Sequence, residues 1–119
     1  MAAPNIVNVA TITGATAVQS VATSATAIVT NSSGSNSVYK VESLILANVN
    51  GSASATVQVG LVRSSTTYYI AYNVTVPAGS TFVPIDKSVS IYLQEGDSLT
   101  LLAYSSSYIQ AVCSYEAIS

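Results

Sequence analysis

The stretch Ala53-Ser54-Ala55-Thr56-Val57-Gln58-Val59-Gly60-Leu61 alternates without a break. Ala53, Ala55, Val57, Val59 and Leu61 fall on one side, and Ser54, Thr56, Gln58 and Gly60 on the other. Successive side chains of an extended chain point to opposite faces, so this is a strand with one face in a core and one in water. No helix produces that period. A chain whose clearest segment is a half-buried strand needs further strands to complete the sheet and cover its apolar face.

Those strands are found on either side, separated by turn signals at short intervals. Val38 to Asn48 is long and grows apolar towards its end, with Tyr39, Val41, Ser43, Ile45 and Ala47 on one side and Lys40, Glu42, Leu44 and Leu46 on the other. It reads as a central strand covered on both faces at one end. Tyr68, Ile70, Tyr72, Val74 and Val76 are expected to share a face, opposite Tyr69, Ala71, Asn73 and Thr75. Further candidates are Ile6 to Ile12, Ala25 to Thr30, Thr81 to Ile85, Val89 to Leu93, Leu99 to Tyr104 and Ile109 to Tyr115. Turns are expected at Thr13-Gly14, Asn31 to Asn36, Asn50-Gly51, Ser64-Ser65, Pro77-Ala78-Gly79, Asp86-Lys87, Glu95-Gly96-Asp97 and Ser105-Ser106-Ser107. Asn50-Gly51 is the strongest of these, because both residues accept the positive φ of a type I′ hairpin. Val18, Val21, Ala22, Ala25 and Ile28 also fit a helical face, and Thr16 with Gln19 has capping-box spacing. Thr23, Ser24, Thr26 and the β-branched Ile28-Val29-Thr30 favour the extended reading instead. The result is an all-β chain of eight or nine short strands, an antiparallel β-sandwich of jelly-roll or Ig-like type. It forms a single domain over residues 1–119, with residues 1–14 read as an N-terminal arm.

Composition narrows the chemistry. Half of the 119 residues are apolar, only 7% are charged, and 32 are Ser or Thr, so hydroxyls and amides must wet the surface. Lys40, Arg63 and Lys87 stand against five acidic residues, for a net charge of -2. Three scattered cations supply no counterion-releasing face, so no nucleic-acid partner is expected. The opening MAAPNIVNVA lacks a basic stretch before an apolar run, and no apolar run approaches the roughly 20 residues of a membrane-spanning helix. The reading is a soluble chain without a secretion signal or membrane partner. Histidine is absent, which removes Ser-His-Asp and Cys-His catalysis and imidazole metal ligation together. The single Cys113 forms no disulfide within the chain and reads as a small buried hydrophobe.

Few residues remain as candidates for a site. Glu95, Asp97 and Asp86 offer oxygens, yet their spacing matches no calcium loop, and a solvated hairpin turn is the simpler reading. The N-x-S/T triplets at Asn31, Asn50 and Asn73 are as many as this composition yields by chance. There is no Gly-rich phosphate loop and no paired-cysteine motif, so the inventory reads as a non-enzyme without metal or cofactor. The eight tyrosines carry more weight, since Phe82 is the only other aromatic. Tyr68, Tyr69 and Tyr72 cluster on one segment, while Tyr104 and Tyr108 flank the Ser-rich turn. Tyrosine covers apolar area at low entropic cost while its hydroxyl stays wet, which suits protein contact first and sugar stacking second.

Several segments add a resemblance. Val41 to Gly51, Val76-Pro77-Ala78-Gly79, Ile91 to Leu99, the ending Cys113 to Ile118 and the opening MAAPNIVNVATITG are similar to small virion structural proteins of tailed bacteriophages, marine cyanophages in particular. The resemblance implies a β-sandwich particle component with no catalytic residues. Head decoration, neck, tail and fibre proteins share such folds, and the leading expectation among them is a capsid decoration, or cement, protein on the virion surface, made in the host cytoplasm. It would bind the major capsid protein and form a homo-oligomer, a trimer in the leading form. Sheet edges nearly bare of lysine fit burial in an assembly. The residues expected to touch other subunits are Met1, Ala2, Ala3, Pro4, Asn5 and Ile6 of the arm together with Tyr68, Tyr69, Tyr72, Tyr104 and Tyr108. The alternatives are a neck, tail or fibre component and, in another class, a carbohydrate-binding module.

Overall fold

A computed structural model describes residues 11–119. Nine strands form in chain order: β1 Ile12–Ser20, β2 Thr26–Thr30, β3 Val38–Asn48, β4 Ala55–Arg63, β5 Thr66–Val76, β6 Thr81–Ile85, β7 Ile91–Leu93, β8 Ser98–Ala103 and β9 Ile109–Ile118. One turn of 3-10 helix, Lys87–Val89, separates β6 from β7. Sheet A runs β1-β9-β3-β6, with β7 pairing the other end of the same β3 edge, and sheet B runs β2-β8-β4-β5. All pairings are antiparallel.

The order has a simple origin. β1 pairs with β9, β2 with β8, β3 with β6 and β7, and β4 with β5, and this ribbon rolls until β9 meets β3 and β8 meets β4. That is the jelly roll, and it settles the choice against the Ig-like arrangement. The stretch 53–61 is where it was read: β4 buries Ala55, Val57 and Val59 and packs Leu61 against the core. Leu44, Leu46, Leu99, Leu101, Ile109 and Val57 are buried from both sheets in one apolar layer. Each of these side chains contributes about 2 kcal/mol of burial.

Rolling also explains the readings that fail. β3 and β4 lie in different sheets, so Asn50-Gly51 makes no hairpin. Instead Asn50 accepts through Oδ1 from the backbone N–H groups of Ser52 and Ala53, both at 2.9 Å, within a connection that crosses the sandwich. The two-residue hairpin is at Ser64-Ser65, where φ is 52° and 63°, the positive values a type I′ turn needs. Thr13-Gly14 is no turn: both lie in β1, which starts at Ile12 inside the stretch read as an arm. The strand expected at Ile6 to Ile12 falls almost wholly outside the described residues, as do the contacts expected of Met1, Ala2, Ala3, Pro4, Asn5 and Ile6. The Thr16 and Gln19 pair sits in the same strand β1, so the extended reading holds there.

Bulges overturn two face assignments. An extra residue between Val41 and Ser43 flips the parity of β3, so Tyr39 and Val41 face the core with Leu44 and Leu46, and Ile45 is turned outward. β5 carries register shifts opposite Val57/Val59 and Val59/Gly60, and its inner face becomes Ala71, Val74 and Val76.

Two buried asparagines fasten the ends of the roll. Asn31 donates through Nδ2 to the carbonyls of Ser37 and Leu93, each at 2.9 Å, and accepts from Ser35 Oγ. Asn48 donates to the carbonyls of Ala53 and Val76 and accepts from the N–H of Asn50. Near Asn31, Asp97 is buried and grips Arg63 in a two-point pair, Nε to Oδ1 at 2.9 Å and Nη2 to Oδ2 at 2.6 Å. Glu95-Gly96-Asp97 is a turn as read, with Gly96 exposed, but Asp97 is buried and the turn closes no hairpin, since it carries the chain from β7 in sheet A to β8 in sheet B.

Candidate interaction surfaces

The sandwich offers two outer faces of different chemistry. On sheet A the register aligns Val18 of β1 with Val112 of β9 and Ile45 of β3, and Val83 sits on the bulged part of β6 opposite Ile45. All four are exposed, Val18 by 74%. They form an apolar row across the sheet, bordered by Gln110 and Ser20 on one side and Thr16 and Ser114 on the other. A shallow depression opens beside it between β1 and β9, lined by Val18, Gln19, Ser20, Gln110, Ala111 and Val112. Single exposed apolar residues are ordinary, but a row in register across four strands is a patch that an isolated protein gains nothing by displaying.

The sequence hid this row. In Ile109-Gln110-Ala111-Val112-Cys113 the small Ala111 and Cys113 face inward and the larger Val112 outward. A small residue on the buried side of a bulky β-branched one was the only available signal. Cys113 itself is a buried hydrophobe as read, and burial pushes its thiol up to about 11.

Sheet B presents tyrosine and amide. Gly60 faces outward between the inward Val59 and Leu61, and its cross-strand partner Tyr69 shares that face. Tyr69 and Tyr72 meet edge to face with ring centres 4.8 Å apart. Tyr68 pairs with Leu61 and therefore lies on the other side of the hairpin, near its tip. The bulges thus part Tyr68 from Tyr72 and join Tyr72 to Tyr69. Tyr104 lies on the outer face, where its hydroxyl meets Gln58 and Asn73. Tyr108 behaves differently, half-buried against the core. Tyr39 and Tyr115 stack at 5.3 Å and also pack on the core edge.

Around Tyr104 three side chains close a ring. Gln58 Nε2 donates to Asn73 Oδ1 at 2.8 Å and to Tyr104 Oη at 2.9 Å, and Tyr104 Oη donates to Asn73 Oδ1 at 2.6 Å. Asn73 holds a φ of 53° in the bulged strand. Gln58 and Asn73 were not singled out from sequence, because only the bulge brings them together. The described residues contain no cluster of His, Cys, Asp or Glu fit to hold a metal ion, and no helix long and apolar enough to cross a membrane.

No protein-family model matches this chain, and no curated protein matches it. Among solved structures, one similar chain comes from the work entitled "Bacillus endospore appendages form a novel family of disulfide-linked pili". The two superpose over 92% of this chain and 87% of that one with a TM-score of 0.54, at 17% sequence identity. At that identity the likeness shows a shared fold.

Proposed function

We propose that this chain is a bacteriophage virion structural protein of the decoration, or cement, type. It binds the outer surface of the major capsid lattice and stabilises the mature head. The observation that carries the reading is the apolar row Val18, Val112, Ile45 and Val83 across an otherwise hydroxyl-rich sheet face. Such a row is satisfied by burial against another protein, and the charges of this sheet, Lys40, Glu42 and Glu116, stand beyond the Thr16 and Ser114 border, so the row itself carries no charge to desolvate. Exposed Tyr68, on the other side of the hairpin from Tyr69 and Tyr72, is available for further contacts between copies, as a trimer or larger oligomer. Jelly rolls recur in viral capsids, which is support by analogy of fold.

The mechanism is mass action. A protein that binds the assembled shell and not its dispersed subunits stabilises the shell by RT ln(1 + [L]/Kd), about 2.7 kcal/mol per site at 100 times Kd. Repetition over a lattice multiplies the gain.

A second reading is a neck, tail or fibre subunit. The Bacillus neighbour favours it, because that protein forms pili and shares the fold. The disulfide linkage of those pili does not carry over, since this sequence has one cysteine and it is buried. Heating decides between the readings. Virions produced without this protein should release DNA at lower temperature than wild type, and wild-type particles should hold hundreds of copies. Equal heat resistance contradicts cementing, and a few tens of copies or fewer favours the neck, tail or fibre role.

A further inference from the structure

The outer face of sheet B has a chemistry that lattice docking through sheet A leaves unused. We propose that it is a binding site for a neutral, polyhydroxylated ligand, a glycan, built from the Gln58-Asn73-Tyr104 ring and the Tyr69-Tyr72 pair.

Hydrogen-bond accounting in the ring leads to the ligand class. Gln58 Nε2 turns one N–H into the ring, shared between Asn73 Oδ1 and Tyr104 Oη, the hydroxyl of Tyr104 donates to Asn73, and Asn73 Oδ1 accepts both bonds. The ring leaves one amide acceptor, Gln58 Oε1, and three amide donors, the second N–H of Gln58 and two on Asn73 Nδ2, without a protein partner among the described residues. A fixed acceptor beside fixed donors complements a pair of neighbouring hydroxyls, each of which donates and accepts. Because the three side chains hold one another, little rotamer freedom is lost on binding, which is the usual cost of recruiting exposed amides.

The aromatic part lies at a suitable distance. Tyr69 pairs with Gly60, two residues along β4 from Gln58. Two residues of strand span about 7 Å, near the width of one sugar ring. The C–H face of a ring bonded to the amides can therefore cover a tyrosine face.

Charge excludes the anionic alternatives. The four strands of sheet B contain one charged residue, Arg63, and it is engaged by Asp97. Sulfated or phosphorylated ligands would find no cation on this face. Proteins remain the competing occupant, and the test separates them.

The experiment is affinity electrophoresis of the purified protein in gels containing a glucan, a galactan, a mannan or a xylan, beside a gel without polysaccharide. Two variants accompany it. Tyr104→Phe keeps the aromatic side chain and removes the hydroxyl that closes the hydrogen-bonded ring, and Asn73→Gly removes the amide while tolerating the positive φ. Retardation by at least one of these polysaccharides, weakened about tenfold in both variants, is the expected result. Circular dichroism of both variants should match wild type. No retardation by any of the four overturns the proposal, as does retardation that both variants retain. Concentration-dependent self-association abolished by the same substitutions, without retardation, also overturns it and assigns the face to a second copy. Since the assay uses free protein, its failure leaves the heat-release test of capsid binding untouched.

Discussion

At the scale of single residues, the sharpest electrostatic feature is the pair Arg63 and Asp97. The Arg63 guanidinium bonded to the buried Asp97 carboxylate, with help from the N–H of Gln94 at 2.8 Å, holds that carboxyl below the usual carboxylate range. A depressed folded-state pKa adds stability that is present above the unfolded value near 3.9 and lost as pH falls through the folded one. Arg63 is raised by the same contact and stays cationic throughout. Because its side chain is 43% exposed, solvent screens the pair, and Asp97→Asn should cost about 1–2 kcal/mol at neutral pH. Urea unfolding of both proteins should show that gap shrinking below about pH 4. Asn31 is more exacting, because Asn31→Ala strands the buried carbonyl of Leu93 together with the part-buried carbonyl of Ser37 and hydroxyl of Ser35. A loss of about 2–3 kcal/mol in the same assay is expected. Gly60 is a steric case: a Cβ there would meet Thr67 Cγ2 at 2.6 Å. Gly60→Ala should lower stability by about 1–2 kcal/mol, and adding Thr67→Ala should recover most of it in a double-mutant cycle.

At the scale of elements, legibility depended on bulges. β4 has even alternation on its buried side, and its inward set was read correctly from Ala55, Val57 and Val59. β3 and β5 each gain residues that reverse the pleat, and a period-2 reading has no means of seeing the insertion. Hence Ile45 was expected beside Tyr39, and Tyr72 beside Tyr68, when in each case they part. Thr13-Gly14 apart, turns were recognised as places but not as types. Most connections here cross between sheets, and local sequence does not say which sheet the next strand joins. The one tight hairpin among the described residues uses Ser64-Ser65, for which positive φ is costly. Replacing them with Asn-Gly should relieve that strain and raise the melting temperature by about 3–4 °C, read by calorimetry. An unchanged or lowered value would show that the serines make a contact of their own. Of the candidate sites, the tyrosines were visible as a composition bias, whereas the amide ring and the apolar row depend on register across strands and were not.

At the scale of the molecule, the two sheets divide the work. Sheet A turns valine and isoleucine outward, and sheet B turns tyrosine, amide and hydroxyl outward. A subunit seated by sheet A would leave sheet B towards the solution, which is the orientation a glycan site requires. Introducing Val18→Lys with Val112→Lys places two charges on the apolar row while leaving the core untouched. The doubly substituted protein should fold, by circular dichroism, and fall below about a tenth of wild-type incorporation into particles. The most direct measurement is a cryo-electron microscopy map of the intact virion, resolved well enough to orient the sandwich. The decoration reading requires hundreds of copies on the outside of the head, with Val18, Val112, Ile45 and Val83 against the shell. A particle whose shell carries no copies, or copies seated by sheet B with that row facing solvent, would contradict it.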